Sequence, residues 1–131
     1  MKIKISEVFY SLQGEGTQIG IPTVFVRLFG CDLRCSWCDS MYAVEGTDFS
    51  VLEISQLVDN VLSYQCANVC ITGGEPLLQL EQTMFLTEKF KSAITISSSI
   101  PKTFPIIELI VPPDEKTAIC SIKIAKNTKI G

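Results

Sequence analysis

Three cysteines on one short segment are the side chains of this sequence best suited to chemistry. Cys31, Cys35 and Cys38 lie in the run Cys-Asp-Leu-Arg-Cys-Ser-Trp-Cys. Their x3 and x2 spacing fits one tight loop, so the three thiolates can converge on a single metal centre. Because Fe–S clusters are normally held by four thiolates, a loop that offers three leaves one iron with an open position. The spacing therefore predicts an Fe–S cluster that binds a further ligand.

Three alternatives are weighed for these thiols. A chance grouping of buried cysteines is disfavoured, because Asp32, Arg34 and Asp39 mark the segment as an exposed loop. Zinc would need a fourth ligand, and neither a histidine nor a second close cysteine pair stands beside the loop. A simple electron-transfer cluster would take its fourth thiolate from Cys66, Cys70 or Cys120. Otherwise we interpret Cys66 and Cys70 as small residues of the hydrophobic core. The absence of histidine from the whole sequence also excludes Ser-His-Asp and Cys-His catalysis.

Composition limits the classes of protein further. The chain has 131 residues, 47% of them hydrophobic, and a formal net charge of -3. This length and apolar content predict one folded domain rather than a disordered chain. The negative charge argues against binding to a phosphate backbone, so we expect no nucleic-acid partner. Neither a secretory signal nor a membrane-spanning run is visible, and we expect a cytoplasmic protein with reduced thiols and no membrane partner.

Alternating strands and helices must position the cysteine loop. Apolar and β-branched runs predict strands over 4–10, 23–29, 68–72, 94–97, 106–111 and 117–125. The helical spacing of apolar residues predicts helices over 51–64, begun by a capping box of Ser50 and Glu53, and over 77–90. This alternation predicts an α/β fold with a parallel sheet, open or partly rolled into a barrel. In such sheets the chemistry lies on loops that follow the strands, as the cysteine loop does.

Two motifs together resemble the radical S-adenosylmethionine superfamily. One is Cys-x3-Cys-x2-Cys with Trp37 before the third cysteine, and the other is Gly73-Gly74-Glu75-Pro76 at the end of a predicted strand. By itself, such a Gly-Gly-Glu-Pro turn is more often only a connection between a strand and a helix. The resemblance implies a partial (β/α) barrel of the radical S-adenosylmethionine type. It also implies a [4Fe-4S] cluster that cleaves S-adenosylmethionine to a 5′-deoxyadenosyl radical.

A third segment narrows the resemblance to one family. Ser-Leu-Gln-Gly-Glu-Gly over 11–16, together with Cys-Asp-Ser over 38–40, is similar to the 7-carboxy-7-deazaguanine synthase family. The resemblance implies a lyase that contracts the ring of 6-carboxy-5,6,7,8-tetrahydropterin to 7-carboxy-7-deazaguanine with loss of ammonia. This reaction belongs to queuosine and other deazapurine biosynthesis. The resemblance also implies a flavodoxin- or ferredoxin-like reductant and a homodimer.

The resemblance implies roles for residues around the cofactors. The three cysteines would bind the cluster, and no catalytic residue is assigned beyond them. Around S-adenosylmethionine it implies Trp37, Cys38, Asp39 and Gly74. Ser40 stands where the family often has threonine and keeps the hydroxyl that would bind Mg²⁺. Because Mg²⁺ demands an octahedron of oxygens, waters and the substrate carboxylate would complete that site.

Further residues would hold the pterin substrate. The resemblance implies Leu12, Gln13 and Gly14, largely through their backbone groups, and a hydrogen bond from Thr72. Arg27 is a lone charge inside an apolar strand, and it would face the pocket and pair with the substrate carboxylate. The alternative for Arg27 is a side chain at a sheet edge that extends its charge into water.

The last third of the sequence departs from the family. Where members have Glu-Thr-Asn-Gly, this chain has Thr-Ile-Ser-Ser over 95–98. The charge also changes sign, since residues 1–88 carry 4 basic and 11 acidic side chains and residues 89–131 carry 7 and 3. We therefore expect one domain over 1–131 with a motif-bearing core over 1–86. The divergent part, 87–131, is expected to reflect truncation or a frameshift of a longer gene.

Two other functions remain alternatives to the synthase. One is a radical S-adenosylmethionine activase of a glycyl-radical enzyme, such as anaerobic ribonucleotide reductase. Those activases usually carry Asn-Pro where this chain has Asp39-Ser40, and they lack the Gln-Gly-Glu-Gly turn. The other is a non-catalytic remnant that binds an Fe–S cluster or merely folds.

Overall fold

The computed structural model describes residues 1–96, 105–110 and 121–126. Two turns of 3-10 helix, Gly16–Gln18 and Pro76–Gln79, accompany the strands and α-helices. In chain order the elements are β1 (Lys2–Leu12), β2 (Pro22–Leu28), α1 (Met41–Val44), β3 (Ser50–Glu53), α2 (Ile54–Ser63), β4 (Val69–Gly73), α3 (Leu80–Ile96), β5 (Pro105–Ile110) and β6 (Ser121–Lys126).

The strands form one six-stranded sheet in the order β3-β1-β2-β4-β6-β5. The predicted α/β class is confirmed, but the predicted parallel sheet is wrong, because β2 and β4 are the single parallel pair among the described strands. A parallel connection needs a crossover of a dozen or more residues, and the loop between β1 and β2 is too short for one. That loop makes a hairpin, in which the Gln13 N–H donates to the Ile21 carbonyl at 2.9 Å. The sheet is open rather than rolled into a barrel.

A hydrophobic core lies between one face of the sheet and the helices α2 and α3. Alternate residues of β2, namely Val24, Val26 and Leu28, are fully buried in it. The other core residues are Ile3 and Ile5 of β1, Val69 and Ile71 of β4, Ile54, Leu57, Val58 and Val61 of α2, and Leu86 and Phe90 of α3. Because this core uses every second residue of the strands, the intervening residues point to the opposite face. No helix in the described part of the chain is long and apolar enough to cross a bilayer.

Two predicted elements differ from the structure. Residues 50–53 form strand β3 on the edge of β1 and not the start of a helix, so Ser50 is not a helix cap. The helix begins after Glu53, whose backbone N–H donates to Oε1 of Gln56 at 3.3 Å. Residues 94–96, predicted as a strand, continue helix α3, and residue 97 lies outside the described residues. At residues 50–53, pairing with β1 outweighs the local preference for helix. At residues 94–96, continuation of α3 outweighs the local preference for strand.

The other predicted elements are confirmed, with shifted ends. Strand β1 covers its predicted range, and β2 and β4 are each displaced by one residue from theirs. Helix α2 occupies the part of its predicted range that follows Glu53. The second predicted helix begins as the 3-10 turn and runs on as α3. Strand β5 begins one residue before its predicted start, and β6 extends one residue beyond its predicted end. The two strands pair antiparallel. The rest of the predicted strand over 117–125 lies outside the described residues.

Candidate functional site

A cavity of about 310 Å³ lies on the face of the sheet opposite the helices. Its floor is formed by residues of β1, β2 and β4 that alternate with the core residues. The hairpin loop after β1, the cysteine loop after β2 and the Gly-Gly turn after β4 form its rim. Every residue that the sequence predicts for the site borders this cavity: Leu12, Gln13, Gly14, Arg27, Cys31, Cys35, Trp37, Cys38, Asp39, Ser40, Thr72 and Gly74.

The cysteine loop leaves β2 at a sharp turn. Gly30 has a φ of 99°, a conformation that glycine adopts without strain, and its N–H donates to the Ala43 carbonyl at 2.8 Å. Within the loop, the Arg34 guanidinium donates to the carbonyl of Cys31 at 3.0 Å and to that of Leu33 at 2.7 Å. The Cys38 N–H donates to the Cys35 carbonyl at 3.2 Å. These hydrogen bonds hold the loop in a conformation in which all three cysteines border the cavity.

The Gly-Gly turn packs backbone against backbone on the start of the cysteine loop. The Gly74 N–H donates to the Leu28 carbonyl at 2.9 Å, and the Glu75 N–H donates to the Gly30 carbonyl at 2.8 Å. A Cβ atom on Gly74 would overlap the Gly30 carbonyl oxygen and would lie 2.6 Å from its carbon. Only glycine permits this approach, and the turn therefore joins the end of β4 to the loop that carries the cysteines.

The three thiols suit an Fe–S cluster better than a single ion. Cys31, Cys35 and Cys38 are half-buried free thiols beside one cavity. Among the described residues no three His, Cys, Asp or Glu side chains are grouped so that they could hold a single metal ion. The thiolates of a cluster bind different irons, so they surround it without meeting at one point. Burial raises the pKa of the Cys31 thiol, with smaller contributions from the negative charges of Glu75 and Asp32.

Glu75 is a buried acid that directly follows the two glycines of the turn. Its Oε1 accepts a hydrogen bond from the Leu77 N–H at 2.9 Å, and the side chain caps the 3-10 turn. Its Oε2 is buried and has no hydrogen-bond partner within the described residues. Burial, together with the charge of Asp32, raises the pKa of this carboxyl.

Arg27 faces the cavity, and the alternative of a sheet-edge arginine is excluded because β2 lies between β1 and β4. Its Nε donates to Oε1 of Glu7 at 2.7 Å, and its Nη1 donates to the Ser40 hydroxyl at 3.0 Å. The Ser40 hydroxyl in turn donates to Oδ1 of Asp39 at 2.7 Å. The Tyr42 hydroxyl donates to the same Glu7 oxygen at 2.6 Å. These bonds connect Arg27, on the floor of the cavity, to the segment that follows the cysteines.

The sequence reasoning missed two residues of this floor and two residues that hold Arg27 beside it. The floor residues are Phe9 and Phe25, whose stacked rings have centroids 5.0 Å apart. The other two are Glu7 and Tyr42, which lie outside the cavity lining. The Arg27 guanidinium lies 5.7 Å from the ring centroids of both Phe9 and Tyr42. The hydrogen bond to Glu7, and then burial, raise the pKa of Tyr42, so its hydroxyl keeps the proton that it donates. An acid at position 7 breaks the apolar alternation of β1, and this signal could have identified Glu7.

Two further cysteines, Cys66 and Cys70, lie in the described part of the chain. Cys66 is half-buried outside the cavity lining, and its thiol donates to the Pro22 carbonyl at 3.3 Å. Cys70 is buried in β4, where it also borders the cavity floor. Cys120 lies outside the described residues. The interpretation of Cys66 and Cys70 as small packed residues agrees with these positions.

Comparison with known proteins gives one matching family and several named relatives. The model of the 4Fe-4S single cluster domain matches residues 12–111. The 7-carboxy-7-deazaguanine synthase of Methanospirillum hungatei is 41% identical over 108 residues, which are 82% of this chain and 45% of that protein. The synthase of Haemophilus influenzae is 44% identical over 88 residues, 67% of this chain and 39% of that protein. The solved structure of QueE from Escherichia coli has a TM-score of 0.56 and 30% identity, and the match covers 67% of this chain and 49% of that one.

These matches bear on the predictions from the cysteine spacing and the motifs. The chain spans less than half the length of the relatives named above. The matched range includes the cysteine loop and the Gly-Gly turn, and the description of the family names the cluster that the spacing predicts. The named relatives confirm the resemblance to the synthase family and do not favour the activase alternative. This chain therefore belongs to the 4Fe-4S single cluster domain family and is similar to the 7-carboxy-7-deazaguanine synthases.

Proposed function

We propose that this chain carries the cluster and substrate site of a 7-carboxy-7-deazaguanine synthase. The reaction is the ring contraction of 6-carboxy-5,6,7,8-tetrahydropterin with loss of ammonia, which makes the enzyme a lyase. One observation carries the proposal: the three thiols and the residues expected to hold the pterin border the same cavity. The names of the similar proteins point to the same reaction.

The cofactor-binding residues lie along the rim of the cavity. Cys31, Cys35 and Cys38 would hold the [4Fe-4S] cluster, while Trp37, Cys38, Asp39 and Gly74 would lie along S-adenosylmethionine. When bound, these two groups would supply the one-electron chemistry of the reaction. The chain's part is to bind, to orient and to exclude water, because the cofactor carries the difficult chemistry.

The pterin would occupy the floor of the same cavity. Leu12, Gln13 and Gly14 come from the hairpin loop, where backbone N–H and carbonyl groups can bind the ring. Thr72 would donate a hydrogen bond to the substrate from β4. Arg27 would pair with the substrate carboxylate, because two of its five N–H groups are used within the described residues and the others are available.

Ser40 would bind Mg²⁺ with help from Asp39. The Ser40 hydroxyl oxygen and Oδ1 of Asp39 lie 2.7 Å apart. They are the oxygen ligands that Mg²⁺ prefers, and waters would complete the octahedron. The Arg27 guanidinium donates to the same hydroxyl and opposes a second cation there. A substrate carboxylate placed between Arg27 and the ion would remove that repulsion. We therefore expect Mg²⁺ to bind together with the substrate rather than before it.

The resemblance to the synthase family also supports proposals about the extent of the core, the barrel and the partners. We place the site in the motif-bearing core over 1–86, and the described residues that border the cavity all lie between Phe9 and Gly74. The sheet would form part of a radical S-adenosylmethionine barrel that longer relatives extend. A flavodoxin- or ferredoxin-like reductant and a second copy of the chain are the proposed partners, in a reducing cytoplasm that keeps the loop thiols free.

Anaerobic reconstitution with iron and sulfide tests the proposal. The protein is then incubated with S-adenosylmethionine, a chemical reductant and carboxytetrahydropterin, and mass spectrometry measures 7-carboxy-7-deazaguanine. Cys35→Ser should lose most of the bound iron and all product, because it removes one cluster ligand. Cys66→Ser is the matched control, since that thiol lies outside the cavity lining, and it should retain both. A cluster that cleaves S-adenosylmethionine but yields no deazaguanine would contradict the assignment.

A further inference from the structure

The way in which Arg27 is held points to a residue with an unassigned role. Arginine binds a carboxylate with two N–H groups, either along its Nε edge or at its Nη end. In this structure Oε1 of Glu7 accepts from Nε at 2.7 Å, so the Nε edge is already engaged. The Nη end stays directed at Ser40, to which Nη1 donates at 3.0 Å. Glu7 thus determines which end of the guanidinium a ligand can reach.

A β-bulge places Glu7 beside Arg27. The register between β1 and β2 steps from Ile5 opposite Leu28 to Glu7 opposite Arg27, so Ser6 is the extra residue. In a regular strand Glu7 would share a face with Ile5, which is buried in the core. The bulge reverses the alternation, and bulges beside functional sites commonly redirect a side chain in this way.

The Glu7 carboxylate is itself held in place. The Tyr42 hydroxyl donates to its Oε1 at 2.6 Å, to the same oxygen that accepts from Arg27. The rings of Tyr42 and Phe9 both lie 5.7 Å from the guanidinium carbon. The Arg27 side chain is 18% exposed, so these contacts leave it little freedom to rotate. A packed cation of this kind binds an anion without first losing rotational freedom.

We propose that Glu7 is a positioning residue, which fixes the Nε edge of Arg27 so that its Nη end binds the carboxylate of the ligand. The inference rests on the proposed function, because the pterin substrate of that function carries the carboxylate. Tyr42 supports Glu7 and does not touch the ligand. The Oε1 atom of Glu7, which accepts from both Arg27 and Tyr42, performs this task.

Binding of two pterins to the anaerobically purified protein tests this role. The probes are 6-carboxypterin and unsubstituted pterin, and the quenching of their own fluorescence measures each dissociation constant. In Glu7→Ala the guanidinium is released, and binding of 6-carboxypterin should weaken about tenfold, as the loss of one charge-assisted hydrogen bond predicts. Binding of unsubstituted pterin should not change. Glu7→Gln keeps an acceptor oxygen and should restore the preference for 6-carboxypterin.

Two further variants separate positioning from folding. Tyr42→Phe leaves the pairing of β1 and β2 intact and should weaken only 6-carboxypterin, by less than Glu7→Ala does. Glu53→Ala removes a different ion pair of the same sheet, the one with the amino terminus, and should change neither constant. Circular dichroism and a thermal midpoint verify that each variant is folded.

The outcomes distinguish this inference from the proposed function. Wild-type protein that does not prefer 6-carboxypterin to pterin overturns the proposed substrate, and the role of Glu7 with it. A wild-type preference that persists in both Glu7→Ala and Tyr42→Phe overturns the role of Glu7 alone. The same holds if Glu7→Ala binds 6-carboxypterin more tightly, since Glu7 would then merely compete for Arg27. An equal loss in Glu7→Gln and Glu7→Ala would also refute the argument from the acceptor oxygen.

Discussion

Replacing Gly74 by alanine should destabilise the whole protein as well as the site. The added Cβ would overlap the Gly30 carbonyl oxygen, and neither backbone can yield as a flexible side chain would. Two backbone hydrogen bonds, Gly74 to Leu28 and Glu75 to Gly30, depend on this approach. At about 1 kcal/mol for each bond, and with about 1–3 kcal/mol for overpacking, the free energy of unfolding should fall by about 3–5 kcal/mol.

Urea denaturation followed by far-ultraviolet circular dichroism measures this loss. Gly14→Ala is the matched control, because Gly14 is exposed and nothing lies within 4 Å of the position that its Cβ would take. Its free energy of unfolding should stay within about 0.5 kcal/mol of the wild type. The iron bound after reconstitution should fall in Gly74→Ala and not in Gly14→Ala. If the two variants unfold at the same urea concentration, the argument for a backbone contact is refuted.

Two further predictions concern the core and the buried acid. Phe90→Ala empties a fully buried position and should cost about 3–5 kcal/mol, whereas Phe85→Ala, at a 36% exposed site on the same helix, should cost clearly less by urea denaturation. The raised pKa of Glu75 means that the folded chain holds this proton more tightly than the unfolded chain does. The stability that it contributes is complete below the ordinary pKa of a glutamate and is lost as pH rises through the raised value. Glu75→Gln should remove this pH dependence from the urea midpoints of iron-free protein, and parallel profiles for the two proteins would contradict it.

The residues that border the cavity could be selected from sequence because they lie on short local segments. The spacing of Cys31, Cys35 and Cys38 fixes one loop whatever the rest of the chain does, and the glycines before Glu75 fix a turn. Arg27 stood out because a charge inside an apolar strand needs a partner. In each case the signal is contained within a few consecutive residues, and the fold only has to bring the segments together.

What could not be predicted depends on which strands meet. The apolar pattern of a strand specifies its faces but not the direction of its neighbour, so the mixed sheet was missed, although the short loop after β1 excluded a parallel neighbour. The strand Ser50–Glu53 exists because the edge of β1 is there to pair with it. Glu7 and Tyr42 lie 35 positions apart, and nothing in either segment indicates that they share a hydrogen bond.

The bulge at Ser6 makes the length of β1 more critical than most of its side chains. Deleting one residue between Ile5 and Glu7 would leave every residue type of the site in place. The regular alternation would then return, and either the two isoleucines would leave the core or Glu7 and Phe9 would leave the face of the sheet that bears Arg27. Functional variants of this protein should therefore accept many residues at position 6 but no insertion or deletion there. In β1, the number of residues between Ile5 and Glu7, rather than the identity of residue 6, determines which face of the sheet each following side chain occupies.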